Sequence, residues 1–364
     1  MISDLSINDY GWSEDLARQF EPHAAKGWMP GRVLVQQRGL LGLMTPAGDV
    51  HAELGGRFVH EAGLAGEHSG GHPIAGDWVA VSVTPGSDRG IVHALMPRTT
   101  AFTRKGPAGV QVVAANVDVA LLAASLNADL SLRRIERYLA NTYESGASPV
   151  IVLTKADDCE DVDDLVAQVE GVAFGVPVLA VSAVTGQGLE ALSAYLKPAE
   201  TSVIVGSSGV GKSTLVNALA GAEIMTTQGI IAEGARGKHT TMHRELVRLP
   251  TGALLLDTPG MREIGVYGAG VGVEEIFHDI DDLAQNCRFS DCSHTNEPGC
   301  AVRAAIREGD LDGSRWKSYQ KLQREMAFEE AKDDAVKRAA NRKHWITITK
   351  SQRAMKKQWK SEGR

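Results

Sequence analysis

Gly206-Ser207-Ser208-Gly209-Val210-Gly211-Lys212-Ser213 has the G-x-x-x-x-G-K-S spacing of a loop that wraps phosphates. Its three glycines let the backbone turn successive N–H groups inward at the start of a helix. Lys212 would reach the β- and γ-phosphates. The Ser213 hydroxyl would hold Mg²⁺, with Thr214 beside it in the first helical turn. A chance match in a glycine-rich chain is the competing reading, and a second phosphate-site signature argues against it. Asp257-Thr258-Pro259-Gly260 is a D-x-x-G run, in which Asp257 would support Mg²⁺ and the Gly260 N–H would meet the γ-phosphate.

Thr154-Lys155-Ala156-Asp157 and Ser182-Ala183 supply the chemistry of a purine base. A carboxylate at Asp157 accepts two hydrogen bonds from the N1–H and N2–H₂ edge of guanine. Adenine lacks both donors and would leave the carboxylate unpaired, which gives strong discrimination. Lys155 would lay its aliphatic stem along the base plane, and the Ala183 N–H would meet O6. The first position is usually Asn; here Thr154 would either bond the base or brace the phosphate loop. These base motifs lie about fifty residues before the phosphate loop, the reverse of the usual order.

A third constellation, Cys287-x4-Cys292-x-His294-x5-Cys300, sets four soft or borderline ligands close together. Four ligands with no open position suit a closed, structural zinc site rather than a catalytic one. Disulfides are the rival reading, but the remaining cysteine is Cys159 alone, and the chain reads as cytosolic. Cys159 reads as a loop residue. His51, His60, His68, His72 and His93 lack ligand spacing and read as surface residues.

The elements that must present these groups follow from hydropathy. Val150–Leu153, Val178–Val181, Thr201–Val205 and Ala253–Asp257 are short apolar runs that end at the four motifs. Buried parallel strands with motifs at their carboxyl ends are the arrangement by which open α/β sheets bind ligands. Val117–Leu126 followed by Leu132–Tyr143 continues the strand–helix alternation. Upstream, Arg32–Val35, Gly39–Met44, Asp77–Val83 and Gly90–Leu95 alternate with glycine turns and predict a small barrel. Arg98, Arg104 and Lys105 at its exit would suit RNA phosphates.

With 364 residues and 43% hydrophobic content, the chain predicts two or three domains with real cores. No apolar run reaches membrane-spanning length and no signal peptide is evident, so the expectation is a cytoplasmic protein with no membrane partner. Charge is lopsided. Residues 335–364 hold ten Lys/Arg and one acidic residue, a local +9 in a chain of net −7, which leaves −16 elsewhere. Such a tail reads as a nucleic-acid-seeking arm, in which Trp345 and Trp359 could stack on bases.

Together these motifs, with Pro73-Ile74-Ala75-Gly76-Asp77-Trp78-Val79, Pro97-Arg98 and Gly237-Lys238-His239-Thr240-Thr241, resemble the circularly permuted GTPases of ribosome assembly, specifically the ribosome small-subunit-dependent GTPase family (RsgA). The resemblance spans roughly residues 30 to 330. Thr154 and Lys238 depart from the expected Asn and Arg. It implies an N-terminal OB-fold β-barrel (30–105) after an N-terminal extension (1–29) whose role the sequence leaves open. A central α/β P-loop GTPase domain (106–273) would follow, circularly permuted so that the base motifs precede the phosphate loop, switch I and D-x-x-G. A mostly helical zinc-binding domain with a basic tail (274–364) would close the chain.

The implied function is a monomeric GTPase that binds the small ribosomal subunit and its rRNA and assists late maturation. Met261 stands where many GTPases carry a water-orienting Gln, and a thioether cannot do that work. His239, in the expected switch I, is the catalytic candidate, against the plain reading of an exposed loop histidine. Thr240 or Thr241 would complete the Mg²⁺ shell, with Thr241 the expectation. Two other classes compete: a zinc-containing RNA-binding module that only senses GTP, and a P-loop ATPase or small-molecule kinase, against which Asp157 argues.

Overall fold

The computed structural model describes residues 5–37, 39–65, 71–106, 109–127, 130–222, 244–257, 270–328 and 331. His239, Thr240, Thr241, Gly260, Met261 and the basic tail lie outside the described residues.

Five strands make the N-terminal barrel: β1 (Met29–Gln37), β2 (Leu40–Thr45), β3 (Gly48–Leu54), β4 (Trp78–Val83) and β5 (Arg89–Leu95). They run in the order β1-β2-β3-β5-β4, and β4 closes back on β1. The β3–β5 pair is parallel and the others are antiparallel, and helix α2 (Gly56–Ala65) bridges β3 to β4. This is the OB-fold barrel. Val33, Leu43, Val50, Val79, Val81 and Val92 fill its interior. β3 has no counterpart among the runs expected from the sequence; its burial alternates because Val50, Ala52 and half-buried Leu54 face the core while Asp49, His51 and Glu53 face out.

The N-terminal extension has a structural use. Ser13 caps helix α1 (Glu14–Ala24) by accepting from the Leu16 N–H at 3.3 Å. Leu16 and Phe20 then bury against Trp78 and Met96 on the outside of the barrel, with Trp12 edge-on to both Phe20 and Trp78. His93, expected on the surface, stacks on Trp28 with ring centroids 4.4 Å apart, and its Nε2 pairs with Ser82 Oγ at 2.8 Å. Burial lowers its pKa.

A hairpin of β6 (Ala101–Gly106) and β7 (Gly109–Ala115) leads into the nucleotide-binding sheet. That sheet comprises β8 (Val119–Ser125), β9 (Ser148–Thr154), β10 (Val178–Ala180), β11 (Thr201–Val205), β12 (Arg244–Arg248) and β13 (Leu254–Asp257). Its order is β10-β9-β8-β11-β13-β12, parallel except for the antiparallel edge strand β12. Helices α3 (Leu132–Ser145), α4 (Val162–Glu170), α5 (Leu189–Ser193) and α6 (Lys212–Ala220) form the crossovers. The apolar runs read as strands are buried: Leu121, Ile151, Val152, Leu153 and Val203 are inaccessible to solvent.

Barrel and GTPase sheet are one continuous structure. β12 pairs with β1, Val35 opposite Glu245 and Gln36 opposite Arg244, giving a sheet of eleven strands among the described residues. Arg32 of β1 reaches across, donating to Thr201 Oγ1 at 2.8 Å and Asn116 O at 3.3 Å, and its guanidinium lies over the Trp78 ring. Burial pulls Arg32 down to about 10, opposed by Asp118 and Asp77. The Asp77-Trp78 and Pro97-Arg98 motifs belong to this junction. Arg98 grips buried Asp77 with two bonds of 2.7 and 2.6 Å. Its guanidinium is committed there, which corrects its reading as a phosphate contact.

After the GTPase sheet come α7 (Gly270–Ile276), α8 (His278–Gln285), α9 (Ala301–Glu308) and a last helix across 313–328. α7 packs on α3, α8 on α7 and α9 on α8, and together they enclose Val273, Ile276, Phe277, Ile280 and Val302 in the largest core cluster.

Candidate functional site

The carboxyl ends of β9, β10, β11 and β13 converge at one rim of the sheet, and the nucleotide motifs begin there. From β11 the chain enters the phosphate loop, and Gly211 opens α6 with left-handed backbone, φ 91°. At Gly206 a Cβ would sit 2.6 Å from the Ala123 carbonyl of β8, so only glycine lets the loop leave the sheet here. Lys212 folds back over the loop, donating to Gly206 O at 2.8 Å and Ser207 O at 2.6 Å. Ser208 and Gly209 are exposed, Val210 is buried, and Ser213 and Thr214 stand on the first turn of α6.

Thr154, the last residue of β9, is buried, and its Oγ1 lies 2.5 Å from Val210 O and 3.3 Å from Ala124 O. A threonine hydroxyl has one proton to give. It goes to carbonyls, with the shorter bond to the phosphate loop, so of the two roles open to Thr154 the geometry selects the brace. Lys155 has φ 63° and starts a 3-10 turn, Ala156–Asp158, that exposes Asp157; the Ala156 N–H is held by Val181 O at 3.1 Å. Beside it, buried Ser182 accepts from the N–H groups of Val184 and Thr185 at 3.2 and 3.1 Å, bonds that do not use the N–H of the intervening Ala183. A carboxylate, an ammonium stem and a backbone donor thus share one rim, which can hold a guanine edge. Asp257 ends β13 at the same rim.

The metal ligands are also brought together. The donor atoms of Cys287, Cys292, His294 and Cys300 lie within 4.8 Å of one another. His294 Nδ1 is 3.5 Å from Cys287 Sγ and 3.4 Å from Cys300 Sγ, and those two sulfurs are 3.9 Å apart. A tetrahedral zinc with metal–sulfur bonds of about 2.3 Å has sulfur–sulfur edges of about 3.8 Å, so the donor set fits that ion. The Ala301 N–H donates to Cys287 Sγ at 3.3 Å, and Trp316 closes edge-on against the His294 ring. The four cysteines form no disulfide.

Against proteins of known family, residues 95–267 match the RsgA GTPase family model. The small ribosomal subunit biogenesis GTPase RsgA of Opitutus terrae is 42% identical over 362 residues, covering 96% of this chain and 98% of that one. The chain belongs to the RsgA GTPase family. The family's protein from Streptomyces coelicolor is 45% identical over 351 residues, covering 93% and 92%. Among solved structures, YjeQ from Thermotoga maritima superposes with a TM-score of 0.60 at 27% identity, covering 82% of this chain and 99% of that one. YloQ, described as a circularly permuted GTPase, shares the fold at TM-score 0.59 and 23% identity. As an RsgA GTPase the chain is a GTP-hydrolysing enzyme that binds guanine nucleotide, and its motif order is the permuted one.

One contact at this site was missed by sequence reasoning. Arg134, in the first turn of α3, donates from Nη1 to Ser207 Oγ of the phosphate loop at 3.2 Å. A signal existed: helices favour acidic residues in the first turn, and α3 has Arg133 and Arg134 there with no acidic residue.

Proposed function

We propose that this GTPase engages the small ribosomal subunit and its rRNA in the triphosphate form, assists late maturation, and departs after hydrolysis. The observation that carries the nucleotide half is the Thr154–Val210 bond, which ties the base loop to the phosphate loop across the buried strand β8. In this reading Asp157 reads the guanine edge, Lys155 covers its face, and the Ala183 N–H meets O6. Gly206 to Thr214 cradle the phosphates, and Ser213, Asp257 and Thr241 organise Mg²⁺. Gly260 senses the γ-phosphate and His239 orients the attacking water. Zinc, held by Cys287, Cys292, His294 and Cys300, closes the helical module as a structural ion. The ribosomal half is supported by relatives whose names state that role over nearly the whole chain. In this reading the protein works in the cytoplasm as a monomer; no helix among the described residues is long and apolar enough to cross a membrane.

The experiment is GTP turnover titrated against purified small subunits, with large subunits as control. Saturable acceleration by the small subunit alone is the expected result, because Met261 leaves the isolated domain without a polar group at the usual position. Equal rates with either subunit or none would overturn the ribosomal assignment. If His239→Ala kept full stimulated turnover, the catalytic assignment would fall while the rest stood.

A further inference from the structure

Helix α3 lies between the phosphate loop and the helical module and grips both. On one side, Arg134 Nη1 meets Ser207 Oγ at 3.2 Å, while Lys212 Nζ holds Ser207 O at 2.6 Å. Two cations therefore converge on one residue of the loop. Arg134 sits at the positive end of its own helix, where a cation is disfavoured; an anion arriving in the neighbouring loop would offset that cost.

Two residues along, about 200° around the helix axis, Glu136 faces the opposite way and is only 2% exposed. It accepts from the hydroxyl of Ser318 and pairs with Arg315 Nη1 at 3.5 Å. Arg315 is itself fixed by Asp279, at 2.9 and 2.8 Å, and by Ile276 O at 2.7 Å. The next residue on the helix across 313–328 is Trp316, the ring that lies edge-on to the metal-ligating His294. Arg137 adds a second clamp to that helix, on Glu325 at 3.0 and 2.8 Å. α3 has little room to yield in between: α7 crosses it so closely that a Cβ on Gly272 would run into the Ala140 carbonyl.

We propose that Arg134 is a positioning residue of the phosphate loop, acting through Ser207, and that α3 transmits the loop's state through Glu136 and Arg315 to the cluster of Cys287, Cys292, His294 and Cys300. The ligand that sets this state is a nucleoside triphosphate with its metal, whose charge draws the Arg134 end of α3 toward the loop. The link rests on the nucleotide reading given above. It runs through packed side chains described here and is independent of the chain segment 258–269. Coupling of this kind is reciprocal, so a partner of the helical module whose affinity depends on the triphosphate would change the triphosphate's affinity by the same factor.

Hydrogen exchange on the full zinc-loaded chain, saturated with a non-hydrolysable GTP analogue or with GDP, tests it. In the wild type, amides of residues 313–320 should exchange roughly fivefold more slowly with the triphosphate, the low end for coupled sites. Arg134→Gln and Ser207→Ala should each shrink that difference below roughly twofold, and the double variant should shrink it no further. Arg134→Lys, which keeps the charge, should restore part of it. A purely structural Arg134 would instead speed exchange equally with both nucleotides. That outcome, or a full difference surviving in Arg134→Gln at saturation, overturns the link, as does its absence in the wild type. Guanine nucleotide binding measured on the same samples separates the two levels: no binding sinks the nucleotide reading itself.

Discussion

The barrel meets the nucleotide-binding sheet through backbone, whereas the helical module meets it through side chains. At the first junction β1 prolongs the sheet past β12, and Arg32 adds two hydrogen bonds and a ring contact. At the second, Glu136 and Arg137 of α3 are gripped by Arg315, Ser318 and Glu325. Backbone pairing fixes register, because a one-residue slip would turn every side chain to the wrong face. Ion pairs between helices impose no such all-or-none condition and can be loosened singly. The barrel is thus held in register by a backbone ladder, while the module, packed on α3 through a shared apolar core, carries polar contacts that can be tuned one at a time.

The comparison is broken most severely by taking the metal away. Structural zinc contributes on the order of 10–16 kcal/mol in small metal-folded peptides. Chelation should therefore unfold residues 287–328, seen as lost helical circular dichroism, while leaving exchange protection in the barrel and β8–β11 intact. Next comes a matched pair of truncations. Arg315→Ala leaves buried Glu136 with the Ser318 hydroxyl but without its cation, and should cost about 3–5 kcal/mol in urea denaturation. Arg32→Ala removes two hydrogen bonds from a charged donor but leaves the β1–β12 ladder in place, and should cost about 2–3 kcal/mol. The opposite ranking would mean that the barrel junction depends on Arg32 more than on its strands.

A subtler change sharpens the contrast by touching neither junction. Thr154→Asn adds a donor where the hydroxyl proton is already committed to the phosphate loop. It should slow GDP release by about fivefold, the worth of roughly one hydrogen bond, with no shift in melting temperature. Stopped-flow displacement of a fluorescent guanine nucleotide reads this directly, and an unchanged release rate would show that Thr154 already serves the base.

The smallest effect concerns pH. Each junction hides one carboxyl that burial pushes up: Asp118, partly offset by the Thr201 N–H and Arg32, and Glu136, partly offset by Ser318 and Arg315. A raised folded pKa means the native state keeps its proton to higher pH than the unfolded chain. The associated stability is complete below the ordinary carboxylate pKa, about 4, and is lost as pH rises through the folded value. Glu136→Gln should flatten that slope at the module junction and Asp118→Asn at the barrel junction, each followed by melting temperature between pH 4 and 7.

Much of this architecture could be read from hydropathy because parallel strands buried on both faces are unbroken apolar runs; Thr201–Val205 appears in the fold with the same limits. The metal ligands were equally plain, since they fall within one short loop whose spacing is the signal. β3 gives no continuous apolar run, because Val50, Ala52 and Leu54 alternate with Asp49, His51 and Glu53. The grip of Arg315 on Glu136 spans 179 positions and has no local pattern to betray it. Arg98 shows the opposite failure: a basic residue at a barrel exit suggests RNA until buried Asp77 is found against it. For Thr154 the residue type left two roles open, and the carbonyl of Val210 at 2.5 Å decided between them.

The union of β1 with β12 has a practical consequence for anyone dissecting this chain. A fragment beginning at residue 106 would strip the outer strand from β12 and bare a row of thirsty amides and carbonyls at the sheet's margin. Margins of that kind recruit neighbours, so the excised GTPase portion should self-associate in dilute buffer, and its hydrolysis would report on an aggregate rather than on the enzyme.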